Sequence, residues 1–350
     1  MIPAGIYGWS DGKGGVSHYR QLEPLRVAAT HGIRVAWGTQ LHDGIVTEYD
    51  TILGHTLWGE RATEAWQKLA AQGCHRLIMD IDDAMWEPDW RPFKEHYTEE
   101  VLHRLYLNAS VSHVLTTPSF AIADYLRENW GCRNVWVIPN TVPEYVTRMH
   151  MSGRRRPPGW RSLYQPNTIG YQGSPSHQHD WTEDINRGLL RLVREHPHWA
   201  LHFWGPDTIE GWPRELVGNT PWQPDVRRYY MSLGLDIGVG PLADTPFNAA
   251  KSSLRAVEYA ALGVPCVLPK LQPYTHSQAG VGEVEHGVTG FLYEPTDTEA
   301  MLHHIENLMG DDDLRERMGR TARDRAAGWT TEARIHRWVD AWNSVGGITP

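Results

Sequence analysis

The sequence predicts an α/β protein of two parallel-sheet halves joined by a linker, and three observations carry that prediction. Short apolar runs recur at residues 2–9, 34–38, 51–57, 77–82, 114–117 and 135–139, with helix-patterned segments between several of them. Strands alternating with helices imply a parallel sheet covered on both faces. The runs are apolar without polar alternation, as strands buried on both sides should be. The rhythm then breaks at residues 151–166 (MSGRRRPPGWRSLYQP), rich in Pro, Gly and Arg, and restarts at residue 168. A chain of 350 residues suits two domains, each able to hold its own core.

In the first half, the strand at 2–9 runs into SDGKGGVSHYR, a glycine-rich turn that opens a helix over 16–31. Helical patterns at 60–71, 94–108 and 120–129 separate the later strands. In the second half, strands are predicted at 168–173, 200–205, 236–242 and 290–293, with helices at 183–195, 226–233, 298–309 and 311–327. A last amphipathic helix covers 331–343, with Ile335, Trp338, Val339 and Trp342 on one side. The expected domains are therefore 1–150, a linker at 151–166, and 167–328. A closing segment follows at 329–350, its expected place being against the first domain. Two such halves place a ligand crevice at the carboxyl ends of their strands.

The charge balance narrows the function. A net charge of −9, with no basic block except Arg154–Arg156, argues against a protein whose affinity comes mainly from neutralising a phosphate backbone. The three thiols, Cys74, Cys132 and Cys266, show no CxxC spacing and fit a reducing compartment. No signal-peptide run and no apolar stretch of ~18 residues stands out, so the expected location is cytoplasmic. The 17 tryptophans suit packing, with sugar or base stacking as an alternative for some.

The stretch that organises the rest is AAKSSLRAVEYAALGVPCVL, residues 249–268. Read as one helix broken at Gly263 before an apolar strand, it sets Lys251, Leu254, Glu258 and Leu262 on one stripe. A carboxylate between two leucines needs a hydrogen-bonding partner. Lys251, Ser252 and Ser253 would then fall in the first turn, where free N–H groups and the helix dipole favour anions. Seven residues separate Lys251 from Glu258, roughly 10 Å of helix. A nucleoside diphosphate spans that distance, with phosphates on the helix start and ribose hydroxyls on the glutamate.

Other candidates lie in loops that follow strands. Gly12, Gly14 and Gly15 open the first strand-to-helix turn, but GxGG is not the dinucleotide fingerprint, which disfavours a nicotinamide cofactor. Asp80, Asp82 and Asp83 end a buried strand, where carboxylates can bind metal, move protons or hold acceptor hydroxyls. Capping of the next turn is the plainer alternative. GSPSHQHD, residues 173–180, carries Gly173, His177, His179 and Asp180. It reads as a loop touching phosphate or base. A metal site is the alternative, but metal needs three or four convergent ligands, and no other His/Cys cluster supports one.

DIGVGPLADTPFNAAKSSLRAVEYAALGVPCVLP and the later HGVTGFLYEPTD resemble the carboxyl-terminal domain of family 4 (group 1) glycosyltransferases of the GT-B fold. DIDDAMWEP, TTPSFAIADYL and VIPNTV resemble the same superfamily's acceptor domain, and GYQGSPSHQHD is similar to a Y-x-G loop of its bacterial and phage branch. The resemblance implies two Rossmann-like domains facing each other across a cleft. It also implies metal-independent, anomer-retaining transfer from a nucleotide-diphosphate sugar, with no further cofactor. By position, Glu258 would hold the ribose and Lys251 the diphosphate. Ser252 and Ser253 would offer helix-start amides, and Gly14 and Gly15 would form the opposing loop. Asp82 and Asp83 would sit on the acceptor side and, with Lys251, form the catalytic set. The first glutamate of the family's Glu-x7-Glu pattern is replaced by Ala250, and the family's histidine near the acceptor has no evident counterpart. The acceptor stays open among glycans, proteins and modified nucleic acids. An epimerase or phosphorylase of the same fold, a metallohydrolase built on the histidine loop, and a nucleotide-sugar-binding protein without turnover are the alternatives.

Overall fold

The computed structural model describes residues 4–10, 15–88, 91–153, 167–173, 175–205, 217–221, 223 and 225–344. Among these, twelve strands form two sheets, and every strand pairing is parallel. In the first half they are β1 (Ile6–Trp9), β2 (Val35–Gly38), β3 (Thr51–His55), β4 (Arg76–Asp80), β5 (Val114–Thr117) and β6 (Val135–Val137), in the order β2-β1-β3-β4-β5-β6. The second half contributes β7 (Asn167–Gln172), β8 (Trp199–Gly205), β9 (Val217–Pro221), β10 (Ile237–Val239), β11 (Cys266–Pro269) and β12 (Gly290–Tyr293), in the order β12-β11-β10-β7-β8-β9. The predicted α/β class with parallel sheets is what the structure has.

The chain divides into two compact units that do not follow a single cut. The first holds residues 1–141, 245–252 and 331–350, and the second holds 142–244 and 253–330. Residues 154–166 of the expected linker lie outside the described residues, and its start belongs to a helix, Glu144–Gly153. The carboxyl-terminal helix Thr331–Asn343 and the short segment around Lys251 both count with the first unit.

Period-two alternation of strand side chains feeds the two faces of the first sheet. Tyr7, Ile52, Leu77 and Met79 point into a core with Trp66, Leu105, Ile122 and Leu126, which also takes in Phe247 and Ala250. Ile6, Leu53, Ile78 and Val114 point the other way, into a core with Leu25, Ile335, Trp338 and Trp342. The apolar side expected of the last helix is therefore buried, and it closes one face of this sheet. In the second unit, Ile169, Tyr171, Leu201, Phe203, Ile237 and Val267 form the core with Leu189, Leu192, Met301 and Ile305.

The central stretch departs from its reading as one helix. Thr245 accepts the Asn248 N–H at 3.2 Å and, with Pro246 as first residue, starts a separate one-turn helix, Pro246–Ala249. Bends at Lys251 and Ser253 follow, and the long helix runs only from Leu254 to Leu262. Lys251 thus shares no helical stripe with Glu258, and neither Lys251 nor Ser252 lies in the helix's first turn. The reason is local. Thr-Pro is a strong start signal four residues too early for a single helix, and residues 245–252 pack in one unit while the helix packs in the other. Ser253 is the residue that enters the helix, at its N-cap. The helix ends where Gly263 adopts φ 66°, a left-handed C-cap available to glycine at no steric cost.

Candidate functional site

Each unit carries a cluster of functional side chains at the carboxyl ends of its strands. In the first unit the cluster rests on a buried ion pair. Arg20 lies on a π-helical turn, His18–Leu22, a rare geometry that redirects one side chain out of helical register. Its Nε donates to Asp80 Oδ1 at 3.0 Å and its Nη2 to Oδ2 at 2.6 Å. Nη1 donates to Asn140 Oδ1 at 3.0 Å and to the Ile138 carbonyl, and the Trp338 ring lies 4.8 Å from the guanidinium carbon. Arg20 and Asp80 are both fully buried. Asp80 ends β4, so this pair fixes the strand end from which Asp82 and Asp83 project.

His55 ends β3 and meets those carboxylates. Its Nε2 lies 3.5 Å from Asp82 Oδ1 and 3.8 Å from Asp80 Oδ1, and its Nδ1 is 3.5 Å from Ser17 Oγ. The next residue, Thr56, adopts φ 48°, a left-handed conformation strained for a β-branched residue. That conformation lets its hydroxyl donate to Asp82 Oδ1 at 3.1 Å. Burial alone would raise the Asp82 pKa, but the His55 imidazole outweighs burial and holds it at about 2. Burial alone would lower the His55 pKa; Asp82, then Asp80, reverse this and raise it.

The sign for stability follows from those two directions. A histidine raised in the folded state stabilises fully below its unperturbed pKa, near ~6.5, and the contribution is lost as pH rises through the folded value. The thermal midpoint of the wild type is therefore expected to exceed that of His55→Gln by more at pH 5.5 than at pH 9. A gap that stayed constant across this range would show that His55 does not act as the charged partner of Asp82.

Lys251 and Asp83 also meet in the first unit. Lys251 Nζ donates to Asp83 Oδ1 at 2.8 Å and sits 4.2 Å from the centre of the Phe247 ring. Ser252 Oγ accepts from Asn140 Nδ2 at 3.0 Å, and the Ala250 carbonyl accepts from Ser119 Oγ at 2.7 Å. Where the resembling family carries its first glutamate, a small apolar side chain is packed into the core. Gly14 lies outside the described residues, and Gly15 begins the short helix Gly15–Ser17.

In the second unit Glu258 is 7% exposed. Gln172, the last residue of β7, donates to Oε2 at 2.8 Å, and the Tyr230 hydroxyl donates to Oε1 at 2.9 Å. The loop after β7 begins at Gly173, where a Cβ would come within 2.4 Å of the Tyr171 hydroxyl and 2.8 Å of Arg255 Nη2. Only glycine fits that approach.

Asp180 organises the rest of this loop. His177 Nδ1 lies 2.9 Å from Asp180 Oδ2, and His179 Nε2 lies 3.5 Å from Oδ1. The same carboxylate accepts the Ala243 N–H at 2.8 Å, tying the β7 loop to the loop after β10. Burial raises the Asp180 pKa, but the bond with His177 and the positive imidazoles overcome it, and the net shift is downward. Among the described residues no three His, Cys, Asp or Glu side chains gather in a metal-holding group. Ser253 Oγ is buried, does not cap its own helix, and has no hydrogen-bond partner among the described residues.

Sequence reasoning missed His55, Arg20 and Arg255. His55 had one signal, a lone polar residue closing the apolar run TILGH. Arg20 had none, because its partner Asp80 is 60 residues away.

Residues 182–340 match a family described as glycosyl transferase-like. No curated protein sequence matches the chain. Its fold is similar to that of sucrose-phosphate synthase from Thermosynechococcus elongatus (TM-score 0.68, 15% identity, 97% of this chain and 99% of that one). It is also similar to Anabaena HepE in complex with UDP and glucose (TM-score 0.65, 16% identity, 97% and 99%). A third likeness is to a glycosyltransferase from Rickettsia africae (TM-score 0.65, 11% identity, 99% and 100%). The chain thus matches a glycosyl transferase-like family over residues 182–340, and its two parallel six-stranded α/β units share the GT-B fold of these solved structures.

Proposed function

We propose that the protein transfers a sugar, with retention at the anomeric carbon, from a nucleotide-diphosphate donor to a hydroxyl acceptor. The observation that carries the donor assignment is Glu258, a buried carboxylate held beside the end of β7 by Gln172 and Tyr230. A buried carboxylate is costly unless it is hydrogen-bonded, and the two O–H groups of a vicinal diol are donors of the kind it accepts. Gly173 and His177, in the loop beside it, contact the rest of the nucleotide. Ser253 presents the helix-start amides that its own hydroxyl leaves uncapped.

The acceptor side is assigned to His55, Asp82 and Asp83. Lys251 spends one of its three N–H groups on Asp83, which leaves two for an anionic oxygen of the departing diphosphate. Ser252, fixed by Asn140, sets the backbone beside it. In the reaction the bond from the anomeric carbon to the phosphate oxygen breaks, and the acceptor oxygen bonds that carbon on the same face. The acceptor proton leaves to the released diphosphate. Charge growing on that diphosphate is stabilised by the lysine and the helix-start N–H groups. No enzymic nucleophile and no metal enters this scheme.

HepE has been solved with UDP and with UDP-glucose, which makes uridine the first base to try. The test is a thermal-shift screen of UDP, GDP, ADP, CMP and TDP with their sugars. A ligand at ~100 times its dissociation constant adds about 2.7 kcal/mol, or several degrees for a unit of this size. One nucleotide series is expected to raise the midpoint. Silence from all of them would remove the donor assignment.

A further inference from the structure

Beside the acceptor carboxylates stands a corner of three rings that the scheme above leaves unused. Trp58 lies in the loop after β3, two residues past the Thr56 that bonds Asp82. His96 ends the helix Arg91–His96, and Tyr97 follows it. The Trp58 ring centre lies 4.5 Å from that of His96, at 79°, and 6.0 Å from that of Tyr97, at 53°. The His96 and Tyr97 rings meet at 5.3 Å and 69°. No two of these three rings lie flat on each other, so within the corner an edge at most covers a face. Trp86 is the contrast: it lies flat on Tyr125 at 3.8 Å and 9°, a pair that occupies its own faces. Trp58 and Tyr97 rest on the core of the first unit and stay partly open, and His96 is exposed.

The corner also adjoins the carboxylates. Burial first, then Asp83 and Asp82, raise the Tyr97 pKa, so the phenol keeps its proton beside them. The side chains of Asp83 and Asp82 are 25% and 11% exposed, whereas that of Asp80 is closed off. Their charges are already matched: Asp80 pairs with Arg20, Asp82 with His55, and Asp83 with Lys251. The cluster therefore offers an acceptor no net charge, and a charged acceptor would lose hydration on entering without gaining a counter-charge. A neutral acceptor with many hydroxyls would find carboxylate oxygens and ring faces together. A pyranose has that make-up. It carries hydroxyls around its rim and weakly positive C–H groups on its face, which the negative face of an aromatic ring attracts.

We propose that Trp58 and Tyr97 form the stacking subsite for the acceptor, and that the acceptor is a neutral saccharide whose pyranose ring lies on them while its hydroxyls reach Asp82 and Asp83. This rests on the assignment of those carboxylates to the acceptor side. It narrows the acceptor to glycans and sets nucleic acid aside, since bases would stack but phosphates would meet Asp82 and Asp83.

The experiment measures binding of glucose, galactose, maltose and lactose by ligand-observed NMR, with glucuronic acid as the anionic counterpart and sorbitol as the open-chain one. Each is tested with and without UDP, on wild type, Trp58→Ala, Trp58→Phe and Tyr97→Ala. At least one neutral sugar is expected to bind the wild type. Trp58→Ala and Tyr97→Ala should each weaken it about 3- to 10-fold, and Trp58→Phe, which keeps a ring, much less. Neither glucuronic acid nor sorbitol should compete with it. Thermal midpoints report folding, and Tyr97→Ala carries the comparison if Trp58→Ala does not fold. Absence of any sugar binding, with or without UDP, would overturn the proposal. So would glucuronic acid binding as tightly as glucose, or full sugar affinity in the alanine variants. A wild type that takes the sugar but no nucleotide would uphold this subsite and remove only the donor assignment.

Discussion

Arg20→Met is expected to destabilise the first unit by about 3–5 kcal/mol, the usual cost of leaving one partner of a buried ion pair uncompensated. The figure is large against a typical total of about 5–15 kcal/mol. Asp80 would lose two donors in a site with no access to water. The Ile138 carbonyl and Asn140 Oδ1 would each lose one as well. The double variant Arg20→Met/Asp80→Leu should recover much of the loss, because replacing both charges with apolar groups removes the stranded ion. Urea unfolding of the two single variants and the double one forms the cycle that measures this. If the losses simply add, the pair is not coupled and the site's foundation lies elsewhere.

The second large effect is expected at Glu258. Glu258→Gln keeps the shape but removes the charge and one of the two acceptor oxygens, so a diol loses its strongest acceptor and one of the donors Gln172 and Tyr230 loses its partner. The nucleotide-induced midpoint shift should disappear. The midpoint without ligand should fall less than in Glu258→Ala, because one of the two acceptor oxygens is kept. Glu258→Ala should also abolish the shift, but at a stability cost, since it strands Gln172 and Tyr230. Paired scans with and without nucleotide separate the two contributions. Unaltered nucleotide binding by Glu258→Gln would exclude a ribose role for this residue.

Much of the fold was legible because it depends on local pattern. The strand at 114–117 and the helices at 183–195 and 331–343 fall where periodicity puts them. β9 was not legible, because VGNTP has neither an apolar run nor alternation and forms by pairing with β8. The helix Glu144–Gly153 was hidden by its closeness to the Pro- and Arg-rich tract. Glu258 could be read as a carboxylate on an apolar helix face needing partners, but which partners could not, since Gln172 is 86 residues away. Lys251 was misplaced because the helix signals of Pro246–Ala249 and Leu254–Leu262 run together in sequence. His55 and Arg20 become visible only when parallel strands align their ends, which is a property of topology rather than of spacing.

Residues 245–252 belong to the first unit although the chain on either side of them belongs to the second. Neither half can therefore be cut out as one uninterrupted piece of sequence. A fragment spanning 142–330 would carry Phe247 and Ala250 away from the core that buries them, leaving an apolar loop bare. A fragment ending near 244 would lack that loop along with Trp338 and Trp342, and so would expose one face of its sheet. Anyone wishing to study one half in isolation would need to graft the eight-residue insert, and for the first half the final helix too, back onto its proper host.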